Sequence, residues 1–518
     1  MMQFIIEFAY TGLVSVTEEN VQELLLAADQ LNVMGVVQTC RDFLGEQLCP
    51  KNCIGIFQVT DTCLSPELRL KAYHFIVDHF EKVVLSEEFP QLSVQQLADI
   101  LDRDDLNVSK ESAVFEAILR WIAHEPEVRK AHIAVLFSRV RLVLTSNDYV
   151  RLNVMSNELV KNNAECLEMV SSAIEILSPI MRFRPSVSQL HSPLPRPRLP
   201  NAILLAIGGW SGINPTNSIE SYDVSTDLWM LVTDQDESPR AYHGTAVLNG
   251  SIYCVGGFNK VEHSNSVRRF DVSTRTWHEA ASMNHRRCYV SVAVLGECIY
   301  AMGGYNGHSR LSTAECYRPE TNQWSLIAPM HDRRSDASST TLHNKIYICG
   351  GFNGVDSLQT VEFYSPETNQ WTMISQMTCR RTGIGIVAYA DHVYAVGGFD
   401  GSVHQSSAEV YNPRSNTWRQ VSPMLTSRSF FGIEVLNNRI YVVGGHNGRS
   451  FYSKVEYYDA TNDEWTEARH MDICRSAVSC CVLSGLPNMD EYVFPRDSLS
   501  IISLDDVSVD SEESSEHF

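Results

Sequence analysis

The chain has 518 residues and a mass of 58.3 kDa, too long for one small domain and, at about 150 residues per domain, enough for about three. Hydrophobic residues make up 44% and charged residues 20%, which excludes collagen-like and wholly disordered classes. The formal charge of -21, from 62 acidic and 41 basic side chains, repels phosphate backbones and anionic lipid, so neither nucleic acid nor a membrane is an expected partner. Fourteen cysteines occur without a C-x-x-C pair, which predicts neither a disulfide framework nor a zinc site, and no metal or other cofactor is expected. Glu7 interrupts the apolar opening MMQFIIEFAY, and no run approaches about 18 apolar residues. The expectation is a soluble cytoplasmic protein with reduced thiols.

From about Val16 to Leu177 apolar residues recur with a helical period. Val21, Leu24, Leu25, Ala28 and Leu31 share one face, as a helix packed on a core requires. Ser65 and Pro66 read as an N-cap followed by proline at the first helical position, where the missing N–H costs nothing. A further helix opens near Ser109 to Glu111 and carries Val114, Ile118 and Trp121 inward. Cys49, Cys53 and Cys63 fall inside this pattern and read as small buried thiols. Next, Pro185, Pro193, Pro195, Pro197 and Pro200 remove backbone donors and predict an extended linker over residues 181–200.

Beyond the linker the sequence repeats. Glycine pairs stand at Gly208/Gly209, Gly256/Gly257, Gly303/Gly304, Gly350/Gly351, Gly397/Gly398 and Gly444/Gly445, at intervals of 48, 47, 47, 47 and 47 residues. Thirteen positions after each second glycine comes Tyr222, Phe270, Tyr317, Tyr364, Tyr411 or Tyr458, and seven further on Trp229, Trp277, Trp324, Trp371, Trp418 or Trp465. Each unit reads as about four short strands. One such sheet cannot cover both its faces, so six of them stack radially, with tryptophan sealing blade to blade. The first unit lacks the strand that precedes its glycine pair, while Ser476 to Leu483 has no glycine-pair strand after it. The last segment should therefore complete the first blade and close the ring.

Two further rings of residues are candidates for binding. An arginine follows each tryptophan by ten residues, or by eleven in the first unit, giving Arg240, Arg287, Arg334, Arg381, Arg428 and Arg475. Such a ring at the channel mouth would suit a carboxylate ligand. The same arginines could instead pair with Glu220, Glu315, Glu362, Glu409 and Glu456 and tie strands together. Directly after the glycine pairs come Trp210, Phe258, Tyr305, Phe352, Phe399 and His446, loop residues that bring rigid contact area to a peptide. Together the rings predict an aromatic and cationic cup for an acidic peptide. Residues 487–518 carry nine acidic and one basic side chain and are expected to be a disordered tail.

The glycine, tyrosine and tryptophan pattern over 201–486 resembles the kelch propeller. LCPKNCIGIF at Leu48 to Phe57, ESAVFEAILRWI at Glu111 to Ile122 and VRL at Val140 to Leu142 resemble the BACK domain, and the stretch before them is similar to the last third of a BTB domain. The chain is thus identified as a member of the kelch-like family. The resemblance implies a multidomain chain, an all-α BTB remnant plus BACK helical domain followed by an all-β six-bladed kelch propeller. Its parts are a BTB portion at 1–45, BACK at 46–180, the linker at 181–200, the propeller at 201–486 and the tail at 487–518.

The family's activity implies a non-enzymatic substrate-recognition adaptor of a cullin-3-based ubiquitin ligase. The propeller would hold a protein substrate through the two rings, and the arginine position would meet acidic residues of a degron. The BTB end and about Cys49 to Phe80 would engage the cullin-3 scaffold. Only about 45 residues resemble the BTB domain, so the strands and helices that build the family's homodimer face, and much of its scaffold contact, are expected to be missing here. Kelch propellers also occur in actin-associated proteins and in copper oxidases. The oxidase reading needs a tyrosine and histidine constellation that the 17 histidines do not form at ligand spacing, and the sialidase S-x-D-x-G-x-T-W box is missing.

Overall fold

The computed structural model describes residues 1–17, 19–62, 66–177, 196–233 and 238–496. The chain divides into two compact units, Met1–Pro200 with the chain from Pro495 onward, and Asn201–Phe494.

The first unit is helical. Met2–Thr11, Val21–Gln30 and Met34–Glu46 come first, and Val21, Leu24, Leu25 and Ala28 are buried in its core. Leu31 departs from the expected face: it lies beyond the last turn as the C-cap and is 48% exposed. Pro66 opens the helix Pro66–Asp78, while Ser65 and Cys63 lie outside the described residues. Cys53 is buried, but Cys49 is only partly covered. The helix Val94–Asp102 starts with a full capping box: Ser93 Oγ accepts the Gln96 N–H at 3.2 Å and Gln96 Oε1 accepts the Ser93 N–H at 3.0 Å. Glu111–His124 buries Val114, Ile118 and Trp121, whose indole donates to the Leu92 carbonyl at 2.9 Å.

The end of the proline-rich stretch carries no helix or strand, and the first unit ends at Pro200. Residues 196–200 pack into this unit rather than spanning solvent. Arg198 is buried, its Nε 2.5 Å from Oε1 of the buried Glu111, and its Nη1 donates to the Leu101 and Arg103 carbonyls. Arg141, also buried, pairs with Asp104 at 2.7 Å, and Arg196 pairs with the same carboxylate. Proline spacing signals an extended backbone, but it does not reveal that the intervening arginines meet acidic partners about 90 residues upstream.

In the second unit six four-stranded antiparallel sheets follow one another. Blade two shows the plan: Gly244–Leu248 innermost, then Ser251–Val255, Val267–Asp271 and Thr276–Ala280 outward. In blade one the inner strand is Ser479–Ser484, paired with Ala202–Ile207 from Ala202↔Ser484 to Ile207↔Ser479. Six blades and closure by the chain's last strand both follow the sequence reading. Tyrosine and tryptophan are direct cross-strand partners, as Tyr317 and Trp324 show with ring centroids 5.2 Å apart. Trp324, Trp371, Trp418 and Trp465 each donate at 2.8 Å to a carbonyl of the preceding blade, and Trp229 does so to Arg469 across the closure.

The glycine pairs join each blade to the start of the next. At Gly256, with φ 66°, a Cβ would stand 2.2 Å from the Arg287 carbonyl oxygen, and the Gly257 N–H donates to that same oxygen at 2.8 Å. No side chain fits so close an approach at positive φ.

Residues 487–496, expected within a disordered tail, are ordered. Met489–Tyr492 forms a 3-10 turn, and the buried Tyr492 donates from its hydroxyl to Val272 O at 2.6 Å while its own carbonyl accepts from Ser221 Oγ. The acid-rich composition masked Met489, Tyr492 and Val493, which supply the apolar surface. The expected disorder of 497–518, like the extended reading of 181–195, lies outside the described residues.

Candidate functional site

The arginine ring is structural, which corrects its assignment as a substrate contact. Arg287, Arg334, Arg381, Arg428 and Arg475 are at most 1% exposed. Each faces a buried glutamate, Glu315, Glu362, Glu409, Glu456 and Glu220 respectively. Arg287 uses its whole donor fork: Nε and Nη2 reach Glu315 Oε1 at 3.1 and 2.9 Å, Nη1 reaches the Gly303 and Thr313 carbonyls at 2.7 and 2.8 Å, and Nη2 also reaches Thr313 Oγ1 at 2.9 Å. Burial pushes the Glu315 carboxyl up, yet Arg287 and the Asn284 donors together hold it below the ordinary carboxylate value. Each paired guanidinium therefore ties the segment leading into a blade's inner strand to the glycine turn and third strand of that same blade, and no face remains for a ligand. Arg240 differs: it is half-buried, donates to Gly256 O and Ser266 Oγ, and has Arg268 where the other blades have glutamate.

The six residues that follow the glycine pairs share one environment. Trp210, Phe258, Tyr305, Phe352, Phe399 and His446 are all half-buried. Each forms a backbone bridge with the residue after the neighbouring arginine, Ser476, Ala241, Cys288, Ser335, Thr382 and Ser429 in turn. Trp210 stacks on Phe258 with ring centroids 6.3 Å apart, and Arg310 lies over Tyr305 at 4.1 Å and Phe352 at 5.5 Å.

A second ring, nearer the axis, escaped the sequence reading. It holds Tyr242, Tyr289, Asp336, Gly383, Phe430 and Ala477, each two residues after an arginine and each at φ 52–60°. Each N–H donates to the preceding member's carbonyl, and Tyr242 donates to Ala477, so six backbone hydrogen bonds of 2.7–3.3 Å close around the axis. The available signal was positional, a fixed offset from the arginine, because the residue types share no chemistry.

Tyr242 and Tyr289 rings lie 4.1 Å apart, and Phe430 stands edge-on to Tyr242 at 6.0 Å. Tyr289, Asp336 and Phe430 line both the axial channel and an adjoining cleft of about 530 Å³ that includes Arg310, Phe352 and Phe399. Asp336 accepts from Ser335 Oγ at 2.6 Å through one carboxylate oxygen, while Oδ1 is buried and meets no donor among the described residues. Burial pushes the Asp336 carboxyl up to about 6 against Ser335 and Arg310, which both lower it. Deeper in the channel burial raises Glu434, beside Cys480 and Cys481, to about 7.

Both carboxyls have folded values above the unfolded one of about 4, so protonation favours the folded state. Their contribution is complete below about pH 4 and is lost as pH rises through about 6 to 7. Asp336→Asn should therefore stabilise the propeller at pH 7.5 by on the order of 1–2 kcal/mol, discounted for partial exposure, and by nothing measurable at pH 4. Thermal melts at the two pH values check this; a variant less stable than wild type at pH 7.5 contradicts it.

Among the described residues no group of three or more metal-ligating side chains comes together, all thirteen cysteines are free, and no helix is long and apolar enough to cross a membrane.

Comparison with known families places the BTB/POZ domain at residues 1–48, BACK (BTB and C-terminal kelch) at 53–155, the kelch motif at 203–234 and 239–284, and the KLHDC2/KLHL20/DRC7 kelch-repeats domain at 290–486. Kelch-like protein 3 of Homo sapiens and that of Bos taurus are each 38% identical to this chain over 253 residues, 48% of this chain and 42% of the relative. The Mus musculus protein is 37% identical over the same length. The match thus spans less than half of these relatives. None of the matched families is a catalytic one.

Proposed function

We propose, from the premise that this chain belongs to the kelch-like BTB-BACK-kelch family and is homologous to kelch-like protein 3, that it is a non-enzymatic substrate-recognition adaptor of a cullin-3-based ubiquitin ligase in the cytoplasm. The single observation that carries this reading is the succession of BTB, BACK and kelch segments in one chain. In such an adaptor the helical end holds the ligase scaffold and the propeller holds the target, so ubiquitination gains from effective concentration rather than from chemistry on this chain. The half-buried aromatics from Trp210 to His446, together with the axial ring, supply the target-facing surface. Stretches such as PRAYHGTAVL, RRCYVSVAVLG and ETNQWSLIAPM resemble kelch-like protein 10 and support placing the chain beside it within the family.

Co-precipitation tests the reading. The chain, and a form carrying a complete BTB domain, are mixed with the cullin-3 scaffold and separately with F-actin. Retention of the scaffold by the form with the complete BTB domain, without co-pelleting on actin, is the expected result. If neither form holds the scaffold while both pellet with F-actin, the adaptor reading gives way to a cytoskeletal one.

A further inference from the structure

The sequestered arginines leave the axial mouth with a different character from the cationic cup that the sequence suggested. Three aromatic rings, Tyr242, Tyr289 and Phe430, surround it, and the charge on the axial ring is the Asp336 carboxylate. The Phe430 ring lies against Gly383, the neighbour of Asp336 in the axial ring, with ring atoms about 2.9 Å from where a Gly383 Cβ would lie. The Asp336 charge is felt at both tyrosine hydroxyls, whose values burial raises and Asp336 raises further.

A buried carboxylate oxygen without a donor is costly, and native structures rarely keep such an atom without a reason. Oδ1 of Asp336 is that atom, at the junction of the channel and the cleft. An aromatic enclosure with one carboxylate is the environment that a desolvated cation prefers, because ring faces and the anion attract it together. The cation already nearby, Arg310, is stacked on Tyr305 and Phe352, and it makes no hydrogen bond to Asp336 among the described residues.

Resting on the reading of the propeller as a target-capturing surface, we propose that the axial mouth selects a basic residue of the captured segment, a lysine or arginine whose charge meets Asp336 Oδ1 between Tyr242, Tyr289 and Phe430. Selectivity then comes from both signs of interaction. A neutral side chain leaves Oδ1 unsatisfied, and an acidic one meets Asp336 as a like charge.

The test uses the full chain and immobilised nonapeptide pools with randomised flanks and a fixed centre of lysine, arginine, norleucine or glutamate. Lysine and arginine pools are expected to retain the chain at least about tenfold better than the other two. Asp336→Asn should abolish that preference while the chain melts no lower than wild type, and Arg310→Ala should strengthen it by removing a competing charge. A preference for the glutamate pool that falls with Arg310→Ala overturns the proposal and leaves peptide capture standing. Equal retention of all four pools, or a lysine preference unchanged in Asp336→Asn, overturns it in the same way. No retention of any pool by the wild-type chain overturns both this proposal and the capture reading beneath it.

Discussion

Arg287→Ala is expected to destabilise the propeller by roughly 3–5 kcal/mol, the cost of leaving a buried partner charge without its counter-ion. Glu315 would keep its donors from Asn284 and His285 but lose both Arg287 contacts while remaining fully buried. The Gly303 and Thr313 carbonyls would each lose the Arg287 donor as well, and a cavity the size of the side chain would open inside the blade. Arg287→Lys keeps the charge but cannot reproduce the fork, so its loss should be intermediate. Seven of the eight tryptophans lie in the propeller, so tryptophan fluorescence during denaturation reads this unit. Melting of Arg287→Ala within about 1 °C of wild type would show that the pair is not structural.

Ending the chain after Arg475 is expected to abolish cooperative unfolding of the propeller altogether. That truncation removes Ser479–Ser484, the inner strand of blade one, and exposes the whole edge of Ala202–Ile207. It also removes Ala477, which accepts from Tyr242 and donates to Phe430 in the axial ring, and Ser476, the bridge partner of Trp210. An open array of blades has two unpaired ends where the ring has none, and a loss of this extent exceeds the roughly 5–15 kcal/mol that a domain has in total. Ending the chain after Arg496 keeps all of these contacts and should leave the melt unchanged. A cooperative transition at the wild-type temperature in the shorter form would contradict closure by the last strand.

Blade number, strand order and closure were legible because they depend on register, and a glycine pair, a tyrosine and a tryptophan recur at constant spacing. Register places equivalent residues at one level of a ring but does not say whether a side chain faces the axis or the gap between blades. Ligand-facing and glutamate-paired arginines therefore both stayed open in the sequence, although one signal favoured pairing. Glu315, Glu362, Glu409 and Glu456 each follow an arginine by 28 residues, a fixed distance between opposite charges that fits pairing better than a shared ligand. The axial ring was invisible for the opposite reason, since Tyr242, Tyr289, Asp336, Gly383, Phe430 and Ala477 have only a backbone conformation in common. In the helical unit the apolar period located the buried faces, whereas Leu31 fell one residue beyond the last turn. Arg198 found its carboxylate 87 residues away in sequence, beyond the reach of any local pattern.

Proximity labelling with the full chain tests most directly whether the axial mouth is the surface that captures other proteins. Tyr289→Ala and Phe430→Ala, combined, suit the purpose because the ring already accommodates Ala477 and Gly383 in the same left-handed conformation, so the fold is expected to persist with little change in melting. The wild-type chain should label a set of proteins that the double variant loses while the rest of its neighbours stay the same. An identical set from both, with both equally folded, would place target capture elsewhere on the molecule.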